Sequence, residues 1–323
     1  MNKKCIPSRN VVSEFKVNYQ DIFSQIRMWD SYLYDYLKQR KQVTPPKKSK
    51  TKQQFAGGYV MEPKVGAYDW VVSFDLNSLY PHLQMGLNIS PDTLREDLPR
   101  ETIDVDDVVK NGLPEHIQQV CREHGVGIAA NGHYFDNSKQ SFLGNILETL
   151  YADRKHYKKL MLEESKKLEH ETDPEKRTQI EKLVTTYNNF QIVKKVGLNS
   201  IYGALGNQYF RFFDIRNAEA VTLSGQLAIK WIGHRVDEYL KKITKTDQNF
   251  LIYSDTDSIY VTMKPIIDKV FDGKSPTQTQ IVDFIDKITE DKIEPFIDSS
   301  YGELREMMNH YQQKMLMKRE IIA

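Results

Sequence analysis

The segment that most constrains the fold is residues 250–261. Phe250, Leu251 and Ile252 lead in, Ile259, Tyr260 and Val261 lead out, and Tyr253-Ser-Asp255-Thr-Asp257-Ser258 lies between. Two short apolar runs around a polar break predict a β-hairpin, so a sheet must exist for it to join. Trp70-Val-Val-Ser-Phe-Asp75 supplies a further strand. Along an extended chain, residues two apart point the same way, so Asp255 and Asp257 are expected to share a face. Clustered carboxylates repel one another unless a cation lies between them, and Mg²⁺ favours oxygen ligands. Taken alone, an Asp-x-Asp at a turn is ordinary turn chemistry.

Two further segments change that reading. In Ser73-Phe-Asp75-Leu-Asn-Ser78-Leu79-Tyr80-Pro81 the strand is expected to end at Asp75 and a helix to start near Ser78. Asp75 then stands at a strand end beside the Leu76 carbonyl. The backbone N–H groups of Ser78, Leu79 and Tyr80 fall in a helix N-terminus, which suits an anion. In Lys194-Lys195-Val-Gly-Leu-Asn199-Ser-Ile-Tyr202-Gly203, residues Lys195, Asn199 and Tyr202 are spaced i, i+4 and i+7 and share one helix face. Arg154 and Lys158 are likewise four apart on an earlier helix. Phosphoryl transfer to a nucleic-acid 3′ end needs two metals about 4 Å apart on acidic residues. It also needs cations and backbone donors for the leaving pyrophosphate. These segments supply both sets.

The rest of the chain reads as helix with short strands. Ile22, Ile26, Trp29, Leu33 and Leu37 predict a helix over 15–40. A lysine-rich stretch with two prolines, residues 38–52, follows as a loop, solvated or lying along a phosphate backbone. A glycine turn at Phe55-Ala-Gly-Gly58 enters a strand. Residues 90–140 read as short strands and loops around Asn131 and Gly132. Long helices are expected from Phe142 to Leu168 and from about Glu175 to Tyr202, joined by a turn with Thr172 or Asp173 as cap. A third spans about 217–243, and further helix precedes a strand near Met315 to Ala323.

Lys plus Arg is 45 against 44 Asp plus Glu, a net charge of +1, so a nucleic-acid surface has to be local rather than global. Cys5 and Cys121 form no metal-ligand spacing or disulfide framework. No signal peptide or membrane span is legible, and the expected location is the cytoplasm, that of the host cell if the chain is viral.

In their order, the three segments resemble motifs A, B and C of family B DNA polymerases. Asp75-Leu-Asn-Ser-Leu-Tyr-Pro81 is similar to motif A, Lys195-x-x-x-Asn199-Ser-x-Tyr202-Gly203 to motif B, and Tyr253-Ser-Asp-Thr-Asp-Ser258 to motif C. Phe55-Ala-Gly-Gly58 is similar to the element linking exonuclease and polymerase regions. Asn88-Ile-Ser-Pro91 and Ala204-Leu-Gly-Asn207 look most like replicative polymerases of T-even-type bacteriophages. The resemblance implies an α+β fold: an antiparallel-sheet palm with an inserted two-helix fingers, exonuclease and thumb domains being absent. The implied boundaries are an N-terminal helix and basic linker over 1–54, palm over 55–140, fingers over 141–203, and palm again over 204–323.

The resemblance also implies roles. Asp75, Asp255 and Asp257 are the catalytic carboxylates. Asp75, Asp257 and the Leu76 carbonyl would hold two Mg²⁺ ions. Ser78, Leu79 and Tyr80 would cradle the triphosphate, and the Tyr80 ring would exclude a 2′-hydroxyl. Arg154, Lys158, Lys195 and Asn199 would bind the incoming nucleotide, and Tyr202 and Gly203 would lie under the nascent base pair. The implied activity is template-dependent addition of deoxynucleotides to a primer 3′ end in viral DNA replication. The implied partners are primer-template DNA, deoxynucleoside triphosphates, separate exonuclease and thumb pieces of a split polymerase, and a sliding clamp, with no membrane. Ser254 and His82 depart from the family pattern, which usually has Gly and often has Ser there. If Ser254 needed a positive φ, the cost would be of order 1 kcal/mol. The competing readings are a non-catalytic scaffold that keeps the fold and another palm enzyme, such as a reverse transcriptase or a protein-primed polymerase.

Overall fold

A computed structural model describes residues 8–47, 51 and 54–323. Cys5 and part of the lysine-rich stretch (Lys48, Ser49, Lys50 and Lys52) lie outside the described residues. The chain divides into two compact units, Met1–Gln54 with Phe142–Ala218, and Phe55–Ser141 with Glu219–Ala323.

The second unit is built on an antiparallel sheet. Its strands are β1 (Val71–Leu76), β4 (Leu251–Asp255), β5 (Ser258–Thr262) and β6 (Met317–Ile322), in the order β4-β5-β1-β6. β2 (Val126–Ile128) and β3 (Tyr134–Asp136) form a separate pair. Along the hairpin Ile252, Ser254, Ile259 and Val261 are buried, while Tyr253 and Tyr260 pack together on the other face with centroids 5.5 Å apart. A long helix, α8 (Ile215–Thr244), backs the buried face. Gly233 lets it come close, because a Cβ there would lie 3.0 Å from Leu251. Asp237 of α8 accepts the Phe250 and Leu251 N–H groups at 2.6 and 3.0 Å, pinning the start of β4.

Residues 90–140 hold more helix than the sequence pattern suggests. α4 (Val105–Asn111) starts at Asp104, whose carboxylate accepts two backbone N–H groups, and α5 (Glu115–His124) ends on left-handed Gly125. Both are short and largely polar, so they offer few apolar positions from which to read a helix. Nearer the C-terminal end come α9 (Lys264–Val270), α10 (Gln278–Ile288) and α11 (Glu294–Met307), followed by β6.

The first unit is helical. α6 (Phe142–His170) and α7 (Pro174–Leu205) pair as the expected hairpin, with Asp173 as the cap and Pro174 opening α7. Tyr157 of α6 stacks on Phe190 of α7, with centroids 4.9 Å apart. Of the helix expected over 15–40 only α2 (Gln25–Gln39) forms; α1 (Ser8–Phe15) lies before that span, and a short 3₁₀ turn at Tyr19–Asp21 separates the two. Lys16 takes φ +53° and stops α1, and the Ser24 hydroxyl accepts the Arg27 N–H to start α2. Ile22 therefore lies outside the helix, although it is buried. Trp29 is fully buried and donates its indole N–H to Ser200 of α7 at 2.9 Å. Among the described residues no helix is long and apolar enough to cross a membrane.

Candidate active site

In the sheet unit, three carboxylates come together at one end of the sheet. Asp75 is the next-to-last residue of β1 and sits opposite Ser258 in the β1–β5 register; the Ser258 hydroxyl donates to it at 3.0 Å. Asp255 is the last residue of β4 and is exposed. Asp257 is not on a strand. It lies with Thr256 in the two-residue turn closed by the Asp255–Ser258 pair. The shared face expected from strand alternation therefore gives way to a turn that brings Asp257 inward. The Leu76 N–H donates to the Asp257 carbonyl at 2.8 Å, tying the turn to the end of β1.

That turn is strained at one residue. Thr256 has φ +49°, a conformation that a β-branched side chain rarely adopts. Its N–H donates to the Tyr59 carbonyl at 2.8 Å, and its hydroxyl donates to the Asp255 carboxylate at 2.9 Å. Such strain persists where surrounding structure over-determines it, and it clusters at functional sites. Ser254 does not carry it: it is not among the residues with positive φ, so the cost considered from sequence does not arise there. Its side chain is buried on the face opposite Asp255, and its hydroxyl has no hydrogen-bond partner.

The electrostatics follow from this geometry. Burial first, then the Asp75 carboxylate, and to a smaller extent Asp255 and Glu320, push the Asp257 carboxyl above its ordinary value. Glu320 carries no motif signal in the sequence. It reaches the cluster because β6 pairs with β1 through a register shift between Ser73 and Phe74. Its charge is also felt at Tyr260, whose hydroxyl is raised by burial first and Glu320 second.

Behind the carboxylates, α3 (Leu79–Gly86) starts at Ser78. Ser78 is left-handed, φ +54° and ψ +58°, which turns the chain sharply from β1 into the helix. Leu79 and Tyr80 open the helix, so their N–H groups belong to its first turn, where the dipole favours anions. Two glycines confine the Tyr80 side chain. A Cβ on Gly58 would lie 3.2 Å from the Tyr80 hydroxyl and 3.1 Å from Thr256, and one on Gly225 of α8 would lie 3.4 Å from the ring. Burial first, then Asp257, raises the Tyr80 hydroxyl. The glycine element of residues 55–58 makes no strand of its own; Val60 forms a single bridge to Asp255.

In the helical unit, Lys195, Asn199 and Gly203 are exposed along α7 and Tyr202 is half-buried, as their spacing predicts. A Cβ on Gly203 would lie 2.8 Å from the Gln25 side-chain oxygen. On α6, Lys158 is exposed and Arg154 is half-buried, with its Nε shielded and unpartnered. The neighbouring Lys194 points elsewhere. It is buried and pairs with Glu14 of α1 at 2.8 Å and Asp153 of α6 at 2.7 Å.

The sequence model for DNA polymerase family B matches residues 23–271. The DNA-directed DNA polymerase of Escherichia phage RB69 is 35% identical over 95% of this chain and 37% of its own length. That of Enterobacteria phage T4 is 32% identical over 95% of this chain and 38% of its own length. A DNA polymerase of Pyrococcus glycovorans is 28% identical over 72% of this chain and 25% of its own length. The chain thus spans less than two-fifths of the length of the phage relatives it matches.

Proposed function

The chain belongs to DNA polymerase family B, and from that premise we propose that it carries the polymerising centre of a DNA-directed DNA polymerase. The observation that carries the reading is the Asp75–Asp257 pair at the end of the sheet, where the Asp75 carboxylate raises the cost of ionising Asp257. In this reading the sheet unit is the palm, and α6 and α7 are the fingers, with boundaries at 55–140, 141–203 and 204–323.

The donor set fits Mg²⁺. Among the described residues no three His, Cys, Asp or Glu side chains form a cage on their own, and Mg²⁺ is ordinarily bound by one or two carboxylates together with substrate phosphates. Asp75, Asp257 and the Leu76 carbonyl would hold two such ions, with Asp255 adding negative potential. When bound, the ions would offset negative charge on the reacting phosphate and lower the pKa of the attacking 3′-hydroxyl.

This chain's own residues supply the rest. The N–H groups of Ser78, Leu79 and Tyr80 hold triphosphate oxygens. Arg154, Lys158 and Lys195 neutralise charge on the departing pyrophosphate, with Asn199 beside them. The Tyr80 ring, fixed by Gly58 and Gly225, excludes a ribose 2′-hydroxyl. Tyr202 and Gly203 support the nascent pair. The substrates are primer-template DNA and deoxynucleoside triphosphates, and the chain acts in viral DNA replication. Exonuclease and thumb segments and a sliding clamp complete the proposed assembly, which works in the cytoplasm of the host cell.

Primer extension tests this reading. The chain is assayed alone and together with a thumb-bearing polypeptide, with Mg²⁺ and deoxynucleotides. Extension that disappears with Asp257→Asn supports it, and Tyr80→Ala should admit ribonucleotides. Binding of primer-template without extension in any combination would shift the reading to a scaffold.

A further inference from the structure

The glycine element of residues 55–58 runs into Tyr59 and Val60 as a loop that meets the candidate active site on one side and α8 on the other. On the site side, the Tyr59 carbonyl accepts the Thr256 N–H at 2.8 Å. Gly58 lies against the Thr256 side chain and the Tyr80 hydroxyl, since a Cβ there would come within 3.1 and 3.2 Å of them. Beyond the loop the chain follows β4, with the Met61 N–H donating to the Ser254 carbonyl at 2.8 Å. On the other side stand Gln226 and Lys230, four residues apart and so on one face of α8. Gln226 donates its side-chain amide to the Gly57 carbonyl at 2.7 Å. The Lys230 ammonium lies 4.6 Å from the centroid of the Tyr59 ring, within cation–π range. Asp106, in the first turn of α4, pairs with the same ammonium at 2.8 Å.

These contacts bear on the strain in the turn. Thr256 at φ +49° is unfavourable for a β-branched residue, and such a conformation persists where its surroundings fix it. The Tyr59 carbonyl is one of the groups that fix it. Residues 55–58 belong to no helix or strand, so the position of that carbonyl depends on what grips the loop from behind. A loop that drifted would carry the carbonyl off the Thr256 N–H, and Asp255 and Asp257, on either side of Thr256, would shift with it. The Lys230 side chain is 19% exposed, which strengthens its contact with the ring by keeping water away. Asp106 is 65% exposed, so its pairing with Lys230 contributes little.

We propose that Lys230, assisted by Gln226, is a positioning residue for the catalytic turn: it holds the Tyr59 loop on α8 and thereby fixes Asp255 and Asp257 for the reaction. Lys230 touches no substrate and acts through Tyr59 and Thr256. The proposal rests on the polymerase reading for the reaction that the turn serves, whereas the mechanical link from Lys230 to Thr256 can be measured without it.

The test pairs hydrogen–deuterium exchange, resolved to the Thr256 amide, with single-turnover primer extension by the whole chain and a thumb-bearing polypeptide. Lys230→Met keeps the aliphatic stem and removes the cation. It should speed exchange at Thr256 about tenfold, as local opening becomes easier. It should also lower the maximal extension rate about tenfold while leaving the half-saturating deoxynucleotide concentration within about twofold, because geometry at the reacting atoms is lost and nucleotide binding is not. Tyr59→Leu should do the same, and the double variant should be no worse than either single one, since both remove one contact. Lys230→Arg keeps a cation over the ring and should restore exchange and rate to within about twofold. Asp106→Asn should change both by less than about twofold. Unchanged exchange at Thr256 in Lys230→Met would overturn the proposal, and so would losses that multiply in the double variant. A loss in Asp106→Asn equal to that in Lys230→Met would overturn it too, because Lys230 would then act through α4. Loss of protection throughout the sheet unit would assign Lys230 a general structural role, with the same consequence. The two readings fail separately. A wild-type chain that never extends primers defeats the polymerase reading, and exchange still decides the link to Thr256; a Lys230→Met variant that extends as fast as wild type defeats the positioning role and leaves the polymerase reading intact.

Discussion

The chain concentrates charge in two places and treats them oppositely. In the helical unit, buried Lys194 is enclosed by Glu14 and Asp153. Burial alone would lower its pKa, but hydrogen bonds to Asp153 and Glu14 outweigh burial and raise it. In the sheet unit, Asp257 sits beside Asp75, Asp255 and Glu320 with no such compensation, and its pKa is raised by burial and repulsion. The first arrangement is complete as it stands, joining α1, α6 and α7. The second is higher in energy until a cation arrives, which is the condition expected of a site rather than of a scaffold. Lys194 and Lys195 are adjacent in sequence, yet only Lys194 is used up in this way.

Removing one carboxylate from each place gives the sharpest contrast. On the proposed reading, in which Asp257 is a metal ligand acting in the transition state, Asp257→Asn should reduce primer extension by a factor of roughly 10³ or more. The same change should raise the melting temperature of the metal-free protein by roughly 1–2 °C, after allowance for solvent screening. The sign follows from the raised folded-state pKa. The penalty for a charged Asp257 is present above that pKa and disappears as pH falls below the unfolded value of 3.8. The stabilising effect of Asp257→Asn should therefore be seen at neutral pH and vanish in acid.

The compensated site should behave in reverse. Lys194→Met leaves two carboxylates facing each other and should cost about 2 kcal/mol in denaturant unfolding, below the range for fully buried pairs because Asp153 is partly exposed. Lys195→Ala, on the exposed face, should change stability by less than about 0.5 kcal/mol while weakening nucleotide binding. Equal losses at the two lysines would break the comparison. Lys194's contribution is fully present below the unfolded pKa of 10.5 and is lost as pH rises through its higher folded value.

Smaller effects test the support around the carboxylates. Gly58→Ala puts a methyl 3.1–3.2 Å from Thr256 and the Tyr80 hydroxyl, so it should cost roughly 1 kcal/mol and loosen discrimination against ribonucleotides. Ser254→Ala removes a buried hydroxyl that has no partner. It should leave stability unchanged or raise it by up to about 1 kcal/mol, with extension within about twofold. A large activity loss in Ser254→Ala would mean that the hydroxyl acts on the turn.

Much of this was legible in the sequence because it rests on local patterns. The α6–α7 hairpin follows from 3.6-residue periodicity and an Asp-Pro start. The strands β1, β4 and β5 follow from short apolar runs, two of them around a polar tip. Elements that depend on unusual backbone or on long-range register were not legible. Nothing in the sequence marks Lys16 as the left-handed residue that ends α1, or Thr256 rather than Ser254 as the strained position of the turn. Glu320 enters the cluster only because β6 shifts register against β1, a pairing between segments far apart in the chain.

The most direct test of the contrast is Mn²⁺ uptake in the presence of a deoxynucleoside triphosphate, followed by electron paramagnetic resonance, for the wild-type chain, Asp257→Asn and Asp153→Asn. Asp257→Asn should lose specific Mn²⁺ binding and become more stable without metal, whereas Asp153→Asn should keep the binding and become less stable. Equal Mn²⁺ binding by Asp257→Asn and Asp153→Asn would refute the assignment of the sheet-end carboxylates as the metal site.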